Sequence, residues 1–167
     1  RFTAGFGETN LNDVGKTPDE YLDMLAKTPL RYQPGTRWVY GGHEMKVLSI
    51  LIEKITNLNL HDYLTKVLFK PLKMASTGFY VEPKNMARFS SYYLYENGKQ
   101  TLMDNAPTSR QYFQLPAICN GSGGIVSSAQ DLANFYGMIL NYGTFKGKQI
   151  LRPQTVELLI YNQIAGI

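Results

Sequence analysis

The chain has 167 residues, of which 44% are hydrophobic and 18% charged, so a packed globular core is expected and an extended low-complexity chain is excluded. The formal charge is +4, but no two of its lysines and arginines are adjacent, which describes a solvated basic surface and argues against a nucleic-acid partner. The single cysteine, Cys119, leaves no internal disulfide framework and no cysteine-based metal cluster.

No run approaches the roughly 18 apolar residues of a membrane span. The first residues, Arg1-Phe2-Thr3-Ala4-Gly5, carry neither an initiator methionine nor signal-peptide organisation, so the chain is expected to begin inside a longer protein. Residues 1–16 are rich in Gly, Asn, Thr and Asp and read as a surface loop. Thr17-Pro18-Asp19-Glu20 is a helix start: Thr17 caps, Pro18 takes the first helical position and Glu20 completes a capping box. Tyr21, Leu22, Leu25 and Ala26 give that helix its buried face, and Thr28-Pro29 ends it.

The stretch 33–55 organises the rest. Pro34-Gly35 reads as a turn, Arg37-Trp38-Val39-Tyr40 as an extended approach, and Gly41-Gly42 as a sharp bend into a helix. Met45, Leu48, Leu51, Ile52 and Ile55 recur at helical spacing and predict one stripe against a core. A tyrosine delivered by a turn to the mouth of a buried helix is held rigidly, which suits a binding or catalytic hydroxyl and equally suits ordinary ring packing.

Asn57 takes the left-handed position after this helix, and Asn59 caps the next, whose apolar face is Leu60, Tyr63, Leu64, Val67 and Leu68. Pro71-Leu72-Lys73-Met74 forms a turn, and 76–81 reads as a short strand. Asn97-Gly98 between the extended runs 90–95 and 100–103 predicts a hairpin. Residues 104–116 have no clear period and read as a loop able to line a cleft. Ser128, with Asp131 behind it, caps a long helix striped by Leu132, Phe135, Tyr136, Ile139 and Leu140. A final helix starts at Pro153, with Val156, Leu159 and Ile160 inward.

Few side chains carry chemistry by type alone. His43 and His61 are too few for a metal site, and no carboxylate pair forms a general acid/base dyad. The cluster Gly121-Ser122-Gly123-Gly124 lacks the Lys-Ser/Thr of a phosphate-binding loop and reads as a tight turn into the Ser128 helix. Ser122 in Gly-Ser-Gly is not a nucleophile elbow, because no histidine follows it.

The run Pro34-Gly35-Thr36-Arg37-Trp38-Val39-Tyr40, the helix end Ile52-Glu53-Lys54-Ile55-Thr56, Phe69-Lys70-Pro71-Leu72-Lys73-Met74 and Thr77-Gly78-Phe79 resemble one family. It is the serine hydrolases comprising class C β-lactamases, DD-peptidases and β-lactamase-like esterases. Phe2-Thr3-Ala4-Gly5-Phe6 also resembles a stretch that the family places well downstream of its nucleophile, with Phe2 where the pattern has histidine. Gly123, Gly124, Ser127, Ala129, Asp131 and Leu132 match the family's Gly-Gly-x-x-Ser-Thr-Ala-x-Asp-Leu, which borders the active site.

The resemblance implies an α/β (α+β) serine β-lactamase/transpeptidase-like fold, of which residues 1–167 are a single, mainly helical and cleft-bordering middle part with a small β-hairpin. It implies Tyr40 as the catalytic base, with Trp38, Gly42, Gly123 and Gly124 bordering the substrate, and no cofactor or metal. It implies an ester, β-lactam or peptide-like small-molecule substrate and favours a periplasmic or secreted location.

Two of the family's three catalytic motifs are missing. No serine is followed three residues later by lysine, and Lys16-Thr17 and Lys27-Thr28 are followed by proline instead of glycine. The Ser-x-x-Lys region and the C-terminal strand are therefore expected to lie outside the chain. Tyr40-Gly41-Gly42 has glycine where the β-lactamases carry asparagine, a departure that resembles the esterase branch, as do the spacing of Arg88 and the stretch 151–163. Two functions follow as expectations: acyl transfer from an ester to water in the full-length protein, the fragment alone being inactive, or a catalytically dead relative that binds peptidoglycan-like or peptide ligands.

Overall fold

The computed structural model describes residues 5–6, 16–104 and 112–162. Helices dominate: α1 is Pro18–Ala26, α2 His43–Thr56, α3 Leu60–Leu64, α4 Ala129–Leu140 and α5 Pro153–Ile160. Strands β1 (Tyr92–Glu96) and β2 (Lys99–Asp104) form one antiparallel hairpin, and the two-residue strands β3 (Thr144–Phe145) and β4 (Lys148–Gln149) form another. No helix among the described residues is long and apolar enough to cross a membrane.

Local chemistry sets most boundaries. The Thr17 hydroxyl accepts from the Glu20 amide while the Glu20 carboxylate accepts from the Thr17 amide at 2.8 Å, closing the capping box. Asn57 ends α2 at φ 55, a left-handed position that asparagine tolerates better than most residues. Asn97 and Gly98 have φ 52 and 76, the two positive values of a type I′ hairpin turn.

The core falls into packed groups. Tyr21 and Leu25 of α1 meet Ile50 of α2; Leu60 meets Phe79 and Cys119; and Phe69, Leu72 and Met74 meet Met138 of α4. Polar bonds strap α4 to the 72–77 segment. The buried Asp131 accepts from the Ser76 amide and the Thr77 hydroxyl, each at 2.7 Å, and the Asn134 side chain donates to the Leu72 carbonyl at 2.9 Å.

Several sequence expectations are corrected here. On α2 the inward positions are Glu44, Val47, Ser49 and Ile50, and Ile52 of the expected stripe also packs inward, against the Leu60 group, whereas Leu48, Leu51 and Ile55 face outward, because α1 packs on the opposite side of the helix. On α4 the inward residues are Asp131, Phe135, Met138 and Ile139, and Leu132, Tyr136 and Leu140 are exposed. On α5 Val156 is buried but Leu159 and Ile160 are exposed, and Ala26 of α1 is exposed as well. Each helix carries more apolar residues than one buried face needs, so periodicity alone chose the wrong member of the pair.

The helix after Asn59 is α-helical only to Leu64 and continues as a π-helical turn, Thr65–Phe69, in which the Lys70 amide bonds the Thr65 carbonyl. The wider turn exposes Val67 and buries Phe69. Residues 76–81 form no strand: a single antiparallel bridge joins Gly78 to Val126. His61 lies partly buried beside Gly78 of that bridge and accepts from the Phe79 amide at 3.4 Å. Most of the expected 1–16 loop, and residues 105–111 of the 104–116 loop, lie outside the described residues.

Candidate functional site

The site begins at the turn the sequence announced. The Thr36 amide closes on the Gln33 carbonyl at 3.2 Å, and Gly35 sits at φ 81, the left-handed third position of a type II turn that glycine fills without strain. The chain then runs irregularly to Gly42. Trp38 and Tyr40 are 47% and 60% exposed, so both rings reach the surface, while Gly41 between Tyr40 and the helix is buried.

Gly42 caps α2 with φ −116 and ψ −13, a conformation open to any residue. The helix it opens is anchored by a contact that crosses two elements. Nδ1 of His43 and the hydroxyl of Tyr21 share a hydrogen bond of 2.7 Å, and Tyr21 is fully buried in α1. The Lys46 ammonium lies 4.9 Å above the Tyr21 ring, and Phe6 meets His43 edge-on. The connection bearing Tyr40 is therefore held on α1 through its first helical residue.

The glycine loop lies directly on the same helix. The Gly121 amide donates to the Ser49 hydroxyl at 3.0 Å, and Ser49 in turn donates to the Met45 carbonyl at 2.9 Å. A β-carbon at Gly121 would stand 3.1 Å from the Ser49 hydroxyl and 3.2 Å from the Met45 carbonyl oxygen, a contact that requires the neighbour to yield. Ser122 lies opposite Gly42, its hydroxyl 3.4 Å from where a Gly42 β-carbon would be. Gly124 adopts φ 87 and Gly123 faces open space.

Of the five residues singled out from the sequence, the structure therefore sets Gly42 beside the glycine loop that carries Gly123 and Gly124. Trp38 and Tyr40 lie on the connection that leads into Gly42. Ser49 and Tyr21 were not foreseen. Ser49 is a small polar residue in the middle of a helix, which could have marked a backbone approach, but nothing local to Tyr21 signals a partner 22 residues away.

Of the remaining reactive groups, the Glu44 carboxylate in the first turn of α2 is buried without a hydrogen-bond partner among the described residues, while Ser122 and Cys119 are occupied or shielded. The Ser122 hydroxyl donates to the Asn120 side chain at 2.9 Å in a turn, not at the sharp strand-to-helix junction of a nucleophile elbow. Burial pushes the Cys119 thiol up, which disfavours its thiolate. Among the described residues no group of three or more His, Cys, Asp and Glu side chains could hold a metal. What the arrangement offers is an exposed phenol and indole on the connection into Gly42, and a glycine loop, opposite Gly42, with open space at Gly123.

Comparison with known proteins shows the family to which the chain belongs. The family described as Beta-lactamase matches residues 1–164. Protein Rv1367c of Mycobacterium tuberculosis (strain ATCC 25618 / H37Rv) is 32% identical over 145 residues, which is 87% of this chain and 35% of that protein. An N-acetylmuramyl-L-alanine amidase of Bacillus subtilis (strain 168) is 26% identical over 155 residues, covering 84% of this chain and 34% of that protein. This chain thus spans about a third of the length of the curated relatives it matches. The solved structure of EstCE1, described as a hydrolase with promiscuous acyltransferase activity, superposes with a TM-score of 0.68 at 20% identity, covering 92% of this chain and 41% of that one.

Proposed function

The chain belongs to the beta-lactamase family and has the β-lactamase/transpeptidase-like fold, and from that premise we propose that it is the cleft-bordering part of a serine hydrolase that transfers an acyl group from an ester to water. The nucleophile is the serine of a Ser-x-x-Lys segment outside these 167 residues. Tyr40 takes the serine proton as the oxygen attacks the ester carbonyl, and returns it to the departing alcohol as the acyl-enzyme forms. Water then attacks the acyl-enzyme and gives a proton to Tyr40, which passes it to the serine oxygen as the bond to the acyl carbon breaks and the acid leaves. Trp38, Gly42, Gly123 and Gly124 border the substrate.

One observation carries the reading: the Tyr40 side chain is exposed on a short connection whose far end is tied to buried Tyr21 through His43, next to the glycine loop. Gly42 is part of the reason for a preference for esters over β-lactams, since it offers no side-chain amide to a substrate's amide carbonyl, a hydrogen bond worth at most about a tenfold change.

A second reading rests on that same glycine, and on a relative named as an amidase acting at N-acetylmuramyl-L-alanine. In it the protein is catalytically dead and holds peptidoglycan-like or peptide ligands in the cleft. A serine-directed acylating probe separates the two, labelling a serine outside residues 1–167 of the full-length protein only in the first.

The decisive measurement is kcat/KM for a p-nitrophenyl short-chain ester with full-length protein carrying Tyr40→Phe. The substitution removes one hydroxyl and keeps the ring, so the fold is expected to stay intact, and loss of a general base lowers the rate by about 10²–10⁴-fold. A variant that retains full activity with an unchanged thermal melt overturns the role of Tyr40.

A further inference from the structure

A cavity of about 430 Å³ opens between the start of α4 and the segment 75–90. None of its lining residues belongs to the Tyr40 connection or to the 121–124 loop. We infer that it binds a small organic carboxylate, whose anionic end Arg88 holds and whose apolar body lies against Val81, Phe89 and Val126.

The charge balance of the walls points to an anion. Arg88 uses one guanidinium N–H in a long contact of 3.4 Å to the Ser76 hydroxyl. Guanidinium carries further N–H donors in a planar fork suited to a carboxylate. Ser76, accepting from Arg88, keeps its own proton for a ligand. His61 accepts from the Phe79 amide through Nδ1, so the neutral ring carries its proton on Nε2, a further donor on a ring that lines the cavity.

Two carboxylates lie close, and neither cancels this set. Asp131 sits behind the wall and is bonded to the Ser76 amide and the Thr77 hydroxyl. Because Thr77 spends its single proton on Asp131, its 2.7 Å contact with Ser127 has Ser127 donating, so neither hydroxyl brings an unpaired charge to the cavity wall. Glu82 lines the cavity but is ion-paired with Lys84. The volume lies in the range of small-molecule sites, and the apolar wall of Val81, Phe89 and Val126 would be left bare by an inorganic anion.

The inference is read by binding, not turnover, and so stands apart from the acyl-transfer proposal. Isothermal titration of the full-length protein at low ionic strength uses benzoate, its neutral isostere benzamide, and inorganic phosphate. Benzoate is expected to saturate one site, with benzamide at least about tenfold weaker, since hydrogen bonds to a charged group exceed neutral ones by that margin. Arg88→Gln should weaken benzoate about tenfold or more. Ser90→Trp, which places a ring at the mouth, should abolish binding. Both positions are exposed, so both variants are expected to keep the wild-type melt. No saturable benzoate binding, binding that survives both substitutions, equal binding of benzamide, or binding of phosphate alone would each overturn the assignment.

Discussion

A side chain at position 42 would enter ordinary space. Gly42 has negative φ, and its β-carbon would make a normal 3.4 Å contact with the Ser122 hydroxyl, whereas Gly143, at φ 87, would drive a β-carbon to 1.9 Å from the Leu151 carbonyl oxygen. The first glycine is a choice of chemistry and the second a requirement of the turn between α4 and β3. Gly42→Asn is therefore expected to fold with a melt close to wild type, asparagine being favoured at helix starts. In the full-length protein it should raise the cephalosporin-to-ester ratio of kcat/KM by at most about tenfold, the worth of one neutral hydrogen bond. A folded variant whose ratio stays put or moves toward esters would show that the missing amide does not set substrate choice. The Pro34-Gly35 turn and the Gly41-Gly42 bend were legible in the sequence because turn chemistry is local. The Tyr21–His43 bond was not, because an apolar-face tyrosine looks the same whether or not a histidine from another helix reaches it.

At the scale of elements, capping residues were read more securely than buried faces. Thr17, Asn57, Asn59, Asn97-Gly98 and Ser128 act within a few residues of themselves, so their roles survive any tertiary arrangement. Which face of α2 or α4 turns inward depends on partners far along the chain, and both helices carry apolar side chains on both sides. The capping box of α1 makes a pH prediction. Hydrogen bonds from the Thr17 amide and hydroxyl hold the Glu20 carboxyl below the usual carboxylate range. A carboxyl depressed in the folded state stabilises it above the unfolded value, and that contribution disappears as pH falls through the folded value. The melting temperature should accordingly fall more steeply for wild type than for Glu20→Gln between about pH 5 and 3, the two converging at the acid end. Parallel curves would mean that the box contributes nothing measurable.

Taken as a whole, the chain leaves much of its apolar surface uncovered. Leu48, Leu51 and Ile55 form one row along α2, and Leu132, Tyr136 and Leu140 another along α4, with Ile55 and Leu140 72% and 79% exposed. Apolar side chains aligned in rows along a helix are of the kind that another protein surface covers. The 167-residue chain in isolation is therefore expected to self-associate. Sedimentation velocity should give a weight-average coefficient that rises with concentration, and the double substitution Leu51→Lys, Ile55→Glu should flatten it. A concentration-independent monomer before substitution would show that these rows are tolerated in solution.

The π-helical turn at Thr65–Phe69 has a bearing on how such a chain can diversify. It spends one residue more than an α-helical turn of the same height, and that surplus brings Phe69, and after it Leu72 and Met74, round to Met138. Removing a single residue there would rotate everything downstream by about 100° on the helix axis and displace the Gly78–Val126 bridge together with the Asp131 bonds. Insertions and deletions should thus be excluded from this segment and accumulate at the Asn97-Gly98 hairpin tip, where the chain can change length without moving its core.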